Sequence, residues 1–409
     1  MNDKLTAANP TANQPLAPAL FANTAEQAQA LREQLQRLGL HNARTTHGGI
    51  GAAINWCATY QASVLLVDLD GETSPLQAIA ELSALCDPGC PIIAMGSKQE
   101  INLYRALLDN GVLDYLAKPV TLDLLANTLE RARDNVEPQR KGQGRTGRSI
   151  AVTGSAGGLG CSSVVAAMAQ LLASERHTPV AVVDYDRSKG DQALLLGAAH
   201  DAGLASAMHS SEIDSRFLQR AMATVNPRLA LLAQEPVADH YLAVNTDQVL
   251  NLGASLCRLY NQVIWDLPAG HPQGSLEVLK HSETRILLTE LTVQGARNCQ
   301  RLLQDIGDES EGQQLLLVVN PAHGSHATVE VRQFEEFVGR RIDLTLPFAG
   351  HDLADSLLGG PLALERVPLF RQALLNLADL ACGRAPAKAP SRSLLRRVKG
   401  ALNRRAAAI

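Results

Sequence analysis

Apolar and polar positions along the chain fall into two successive alternations of short strand-like runs and longer helical stretches. The first opens with an apolar run near Leu16 to Phe21. Thr24-x-x-Gln27 then reads as a capping box, with Leu31, Leu35 and Leu38 on one helix face before Gly39. A second strand is expected near His41 to Thr45 and a helix over Ile50 to Tyr60. Val64 to Val67 and Pro91 to Met95 are continuously apolar, as in strands buried on both faces of a parallel sheet. Leu103 to Val120 carries the next helix and strand, and Thr121 caps a helix with Leu122, Leu125 and Leu129.

The second alternation begins at Ser149. A β-type run to Thr153 enters a glycine-rich turn, a helix of roughly 15 residues follows, and a second apolar run ends in Asp184 and Asp186. Further strands are expected at Leu229 to Gln234, Val263 to Asp266, Arg285 to Thr289 and Leu315 to Asn320, with a helix carrying Leu302 and Leu303 between the last two. The pattern predicts an α/β chain of two doubly wound sheets. Its expected divisions are a disordered polar tail over 1–15, a first domain over 16–134, a flexible, basic and Gly-rich linker over 135–148, a second domain over 149–384 and a basic tail over 385–409.

Composition narrows the class. The 409 residues suffice for two or three domains, and with no apolar run of about 18 residues the chain reads as globular rather than membrane-spanning. The amino terminus lacks the basic and apolar regions of a secretory signal, so a cytoplasmic location is expected. Of the seven cysteines only Cys86 and Cys90 are close together, with no second ligand pair nearby, so reduced, core-packed thiols are expected rather than zinc. Net charge is −4, but from Leu380 onward there are eight Lys/Arg and no Asp/Glu, leaving about −12 on the rest. An acidic body carries a basic end.

The turn Gly154 to Ser163 (GSAGGLGCSS) has the shape of a phosphate loop, in which backbone N–H groups close around an anion at a helix N-terminus. Its charge is missing: Cys161 stands where a lysine normally precedes the Ser/Thr. By itself the turn also fits a strand-to-helix connection that binds nothing. Asp266, ending a strand beside the loop, sits where a carboxylate holds the hydration shell of Mg²⁺, although an N-capping aspartate is the simpler alternative.

These residues resemble the deviant Walker A loop of the MinD/ParA family, K-G-G-x-G-K-[ST], matched here by Ala156-Gly157-Gly158-Leu159-Gly160-Cys161-Ser162. Gly158, Gly160, Ser162 and Ser163 match, while both family lysines are replaced, by Ala156 and Cys161. The resemblance implies ATP contacts from Gly157, Gly158, Gly160, Cys161, Ser162 and Ser163, Mg²⁺ on Ser162 and Asp266, and an adenine contact from Asn320. It also implies that Asp186, the switch aspartate, serves whatever hydrolysis remains, with Asp184 at the preceding acidic position. Without the lysines, ATP with Mg²⁺ is expected to bind weakly or not at all, and the ATPase to be weak or inactive. Arg187 and Lys189 are the nearest candidates for a replacement cation.

The first domain resembles a response-regulator receiver, with Asp68 at the phosphoacceptor position and Lys118 in the Ala-Lys-Pro after the fifth strand. The Ser/Thr expected after the fourth strand falls on Gly96 or, one later, Ser97. The acidic pair that holds Mg²⁺ is absent, since Phe21-Ala22-Asn23-Thr24 has no carboxylate. A pseudo-receiver with a vestigial Asp68 and Lys118 is therefore expected.

A degenerate receiver followed by a lysine-free MinD/ParA-like domain resembles the TadZ/CpaE family of pilus-assembly proteins. That resemblance implies a homodimer, peripheral at the inner membrane and polar, that recruits the secretion ATPase and inner-membrane components of a Tad (Flp) type IV pilus. The rival is a working MinD/ParA-type ATPase that positions or partitions cargo. In the tail, Leu394, Leu395, Val398 and Leu402 form an apolar stripe flanked by Arg396, Arg397 and Lys399, the pattern of a helix lying on an anionic membrane. Nucleic-acid binding and a merely solvated tail are the other readings of the same arginines, and nucleic acid is not the expected partner.

Overall fold

The computed structural model describes residues 16–134, 145–198, 203–210, 213–235, 245–307, 309, 312–324 and 328–384. The expectations for residues 1–15, for most of the linker and for the basic stripe Leu394 to Leu402 lie outside them.

In the first domain, strands β1 (Ala19–Ala22), β2 (Arg44–His47), β3 (Leu65–Asp68), β4 (Ile92–Gly96) and β5 (Asp114–Ala117) form one parallel sheet in the order β2-β1-β3-β4-β5. Helices α1 (Ala25–Arg37), α2 (Gly49–Cys57), α3 (Pro75–Leu85), α4 (Ile101–Asp109) and α5 (Leu122–Asp134) cover its two faces. The Thr24/Gln27 capping box forms as read, each side chain bonding the other residue's N–H. Phe21, Leu65 and Ile92 pack on one face and Leu20, Leu66 and Ile93 on the other. That alternation within continuously apolar strands is what a doubly covered sheet requires.

The second domain is an eight-stranded sheet. Its strands are β6 (Arg148–Gly154), β7 (Val180–Asp184), β8 (Ala223–Asn226), β9 (Leu229–Leu232), β10 (Gln262–Asp266), β11 (Thr284–Thr289), β12 (Gln314–Val319) and β13 (Leu344–Thr345). The order is β13-β12-β11-β6-β10-β7-β9-β8, all parallel except the β8–β9 pair. Neither edge strand, β8 nor β13, is marked by apolar periodicity. Helix α6 (Cys161–Ser174) follows β6 and is buried nearly all round, with Val164, Val165, Met168 and Leu172 fully inaccessible. It lies between the sheet and the helix Pro368–Ala381. Large apolar side chains buried this way stabilise by roughly 1.5–3 kcal/mol each, so the loop at the head of α6 rests on a rigid support.

Where the two domains meet, the end of the linker is anchored rather than flexible. The Arg145 guanidinium donates to the carbonyls of Ser83, in the last turn of α3, and of Asp87 and Cys90 just beyond it. Asn261 donates to Ser83 as well, and Arg228 to the carbonyls of Leu85, Cys57 and His177. Gly147 threads so close to Tyr260 that an added Cβ would fall 1.8 Å from its carbonyl oxygen. Cys86 and Cys90 are buried beside this contact. Burial pushes the Asp87 carboxyl up to about 6, against the pull of Arg228 and Arg145.

Candidate functional site

In the first domain Asp68 ends β3 with its side chain fully buried. Its carboxylate accepts N–H bonds from Asn23 (2.9 Å) and Asp70 (3.0 Å) and an ion pair from Lys118 (2.5 Å). Lys118 also reaches Asp70 at 2.7 Å, and Asp70 accepts from both the N–H and the hydroxyl of Ser97. Burial acts to raise the Asp70 carboxyl, but the Lys118 and Ser97 bonds outweigh it and hold it below its ordinary value. Where a second carboxylate would stand, the Asn23 amide instead donates to the Asp70 carbonyl. The structure brings Asp68, Lys118 and Ser97 together and adds Asp70, which sequence reasoning missed.

In the second domain β6 runs into the glycine loop, held from three sides. The Ser155 N–H donates to Leu288, its hydroxyl bonds Thr289, and its carbonyl accepts from the Asn298 amide. The Asn320 amide donates to the Leu159 carbonyl at 2.8 Å. Asn320 is therefore placed at the loop, as a brace of its backbone. Gly158 and Gly160 hold φ of +80° and +75°, a conformation that L side chains rarely adopt, which is why the turn needs glycine. Ser162 and Ser163 follow in the first turn of α6.

Cys161 is turned beneath the loop, its sulfur 2.9 Å from where a Gly154 Cβ would be. Burial, with Asp266 nearby, pushes its thiol well up, so it is neutral and supplies no charge.

On the carboxylate side, β10 and β7 pair in register so that Asp266 stands opposite Asp184, both buried. Burial, followed by the charge of Asp266, pushes Asp184 up, and burial also pushes Asp266 up against bonds from Gln192 and Ser162. Gln192 connects the parts: its side-chain N–H donates to Asp266 (2.8 Å) and to the Ser162 carbonyl (3.0 Å), and its backbone N–H to Asp184 (3.0 Å). Nothing in the sequence pattern singled it out. Asp186 turns one oxygen onto its own loop, accepting from the Ser188 and Lys189 N–H groups. Arg187 lies over the Tyr185 ring at 5.8 Å.

Among the described residues no lysine or arginine pairs with Asp184 or Asp266. Two adjacent buried carboxylates with Ser162 beside them form an all-oxygen donor set, which suits a hard divalent cation such as Mg²⁺. A Cβ added at Gly157 would meet nothing within 4 Å, so the cradle is open on that side. The residues present are of the kind that could hold a phosphate with its metal, although both lysine positions of the loop are occupied by uncharged side chains, Ala156 and Cys161.

No family model and no curated protein matches the chain. Among solved structures, a ParA family ATPase from Chlorobium tepidum TLS matches at 23% identity and a TM-score of 0.52, covering 57% of this chain and 98% of that one. The second domain thus has the fold of a ParA family ATPase. The Pyrococcus horikoshii septum site-determining protein MinD, solved with Mg-ADP, is 19% identical with a TM-score of 0.48, over 57% of this chain and 95% of its own. The pilus assembly protein CpaE from Caulobacter crescentus CB15 is 25% identical with a TM-score of 0.26, over 29% of this chain and 98% of its own.

Proposed function

We propose that the chain is a localisation and assembly factor for a Tad (Flp) type IV pilus, which dimerises through its ParA/MinD-like domain and uses nucleotide as a structural ligand. The observation that carries this reading is Cys161. A neutral thiol folded under the loop, with Ala156 at the other lysine position, removes the phosphate-binding charge while leaving the backbone cradle and the carboxylate pair in place. The order of domains, a receiver-like unit with its aspartate locked by Lys118 ahead of the lysine-free loop, supports the same reading. No helix among the described residues is long and apolar enough to cross a membrane. Attachment to the inner membrane is assigned to the basic tail, and recruitment of the secretion ATPase and pilus components to the dimer at the pole.

In this reading the N–H groups of Gly158 and Gly160 and the first turn of α6 hold the phosphates, with Ser162 and Asp266 on the Mg²⁺ side. Held there, Mg²⁺ would supply charge neutralisation for the phosphates and for the carboxylate pair of Asp184 and Asp266. Gln192 fixes Asp266 and the Ser162 carbonyl relative to each other, so the metal side is set before a ligand arrives. Asp186 keeps one oxygen bonded to its loop, and the loop lacks the lysines that would stabilise the charge developing in hydrolysis, so slow or absent turnover is expected. An ATP titration, a single-turnover assay and sedimentation with and without ATP test this together. Binding and dimerisation without turnover are expected, whereas steady turnover lost in Asp186→Ala supports the cargo-positioning ATPase instead.

A further inference from the structure

We propose that His323, oriented by Glu290, is the side-chain cation of this lysine-free loop and contacts the phosphates of the bound nucleotide. The proposal rests on the nucleotide-binding part of the reading above.

Glu290 directly follows β11 and Thr289, the residue that bonds Ser155 of the loop. One oxygen of its carboxylate accepts both the backbone N–H of His323 (3.0 Å) and the ring Nδ1 (3.1 Å). The turn that carries the histidine is fixed at its start, where the Asn320 N–H donates to Thr289 and the Asn320 amide to Leu159. With Nδ1 engaged by the carboxylate, the other ring nitrogen is left for a ligand. That Nε2 faces the loop, 3.5 Å from where a Cβ of Gly158 would stand. The loop at Gly158 therefore lies beside Nε2, and the ring, 65% exposed, is open to a ligand arriving from solvent.

Bonding Glu290 through Nδ1–H and a phosphate oxygen through Nε2–H at once requires hydrogen on both ring nitrogens, a form that acceptors on both sides of the ring favour. The other candidates are placed less well: Arg187 is laid over Tyr185, Lys189 is exposed to solvent, and Cys161 is neutral.

The test is calorimetric titration of the full chain with Mg·ATP, Mg·ADP and adenosine. His323→Ala is expected to weaken ATP and ADP roughly tenfold, the effect of losing one charged hydrogen bond at an open site, and to leave adenosine unchanged. His323→Lys should restore the affinity. Glu290→Gln should lose several-fold, and adding it to His323→Ala should cost nothing more, since the two act as a unit. The unfolding temperature of each ligand-free variant reports whether the fold is intact. If the wild type binds ATP and His323→Ala binds it equally well, or adenosine is weakened as much as ATP, His323 is not a phosphate contact and the nucleotide reading stands without it. If the wild type binds no ATP at millimolar concentration, both fall.

Discussion

Asp184 and Asp266 end adjacent parallel strands directly opposite each other, carboxylate beside carboxylate, and both are buried. Each has its pKa raised, chiefly by burial. The folded chain therefore keeps protons that the unfolded chain releases above about pH 4, so stability falls as pH rises through the pair's raised titration range. Asp266→Asn removes one of the two charges. It should raise stability by about 1–2 kcal/mol at pH 8, read as a higher Tm, with the gain gone at pH 4. In the presence of ATP, Mg²⁺ should raise the Tm of the wild type and not of the variant. Equal Tm values at pH 8 would show that the pair does not strain the fold.

Among the described residues, Lys118 is the one cation that pairs with Asp68 and Asp70. Lys118→Met leaves two carboxylates facing each other, one fully buried, and should cost about 3 kcal/mol in urea unfolding. Adding Asp68→Asn should return part of it.

With Asp68 held by three donors and no carboxylate at Asn23 to share a Mg²⁺, acetyl phosphate should leave the protein's mass unchanged. A single-phosphate adduct that disappears in Asp68→Asn contradicts the closed-site reading.

Cys161→Lys puts a charge back into the loop. Since the native thiol is tucked against Gly154, the longer side chain must turn out toward the cradle. ATP should then bind at least about tenfold tighter by calorimetry, from one charged hydrogen bond.

Arg228 ties two carbonyls of the first domain to one of the second. Arg228→Ala leaves these acceptors without their donor and should cost roughly 3 kcal/mol. Hydrogen exchange should quicken at the end of α3 and along β9 together. Exchange that rises in only one domain counts against a shared joint.

What could be read from the sequence was local. Thr24 and Gln27 announce a helix start because both halves of the capping box lie within one turn, and the apolar strands announce themselves because a doubly covered sheet leaves them no polar side. Asp68, Lys118, Ser162 and Asp266 were legible through motifs. Gln192 and Asp70 were not, since their partners arrive from strands far along the chain. Arg145 and Arg228 read as ordinary basic residues, because a carbonyl acceptor on another domain leaves no trace in composition. The edge strands β8 and β13 lacked a signal for the same reason, as half-covered positions need no continuous apolar run.

The close passage of Gly147 past Tyr260 has a consequence for anyone cutting this protein into parts. The covalent junction and the mechanical one are different places: the backbone passes from one sheet to the other at Arg148, but the grip that unites them is distributed over Arg145, Arg228 and Asn261. A fragment starting at Ser149 discards one of the three and bares the other two, so its surface there is a wound rather than a natural face. Exchanging the first domain for a relative's would graft cleanly only if the new α3 ended with its carbonyls in the same positions. Recombination by whole domains is thereby restricted to partners already fitted to each other.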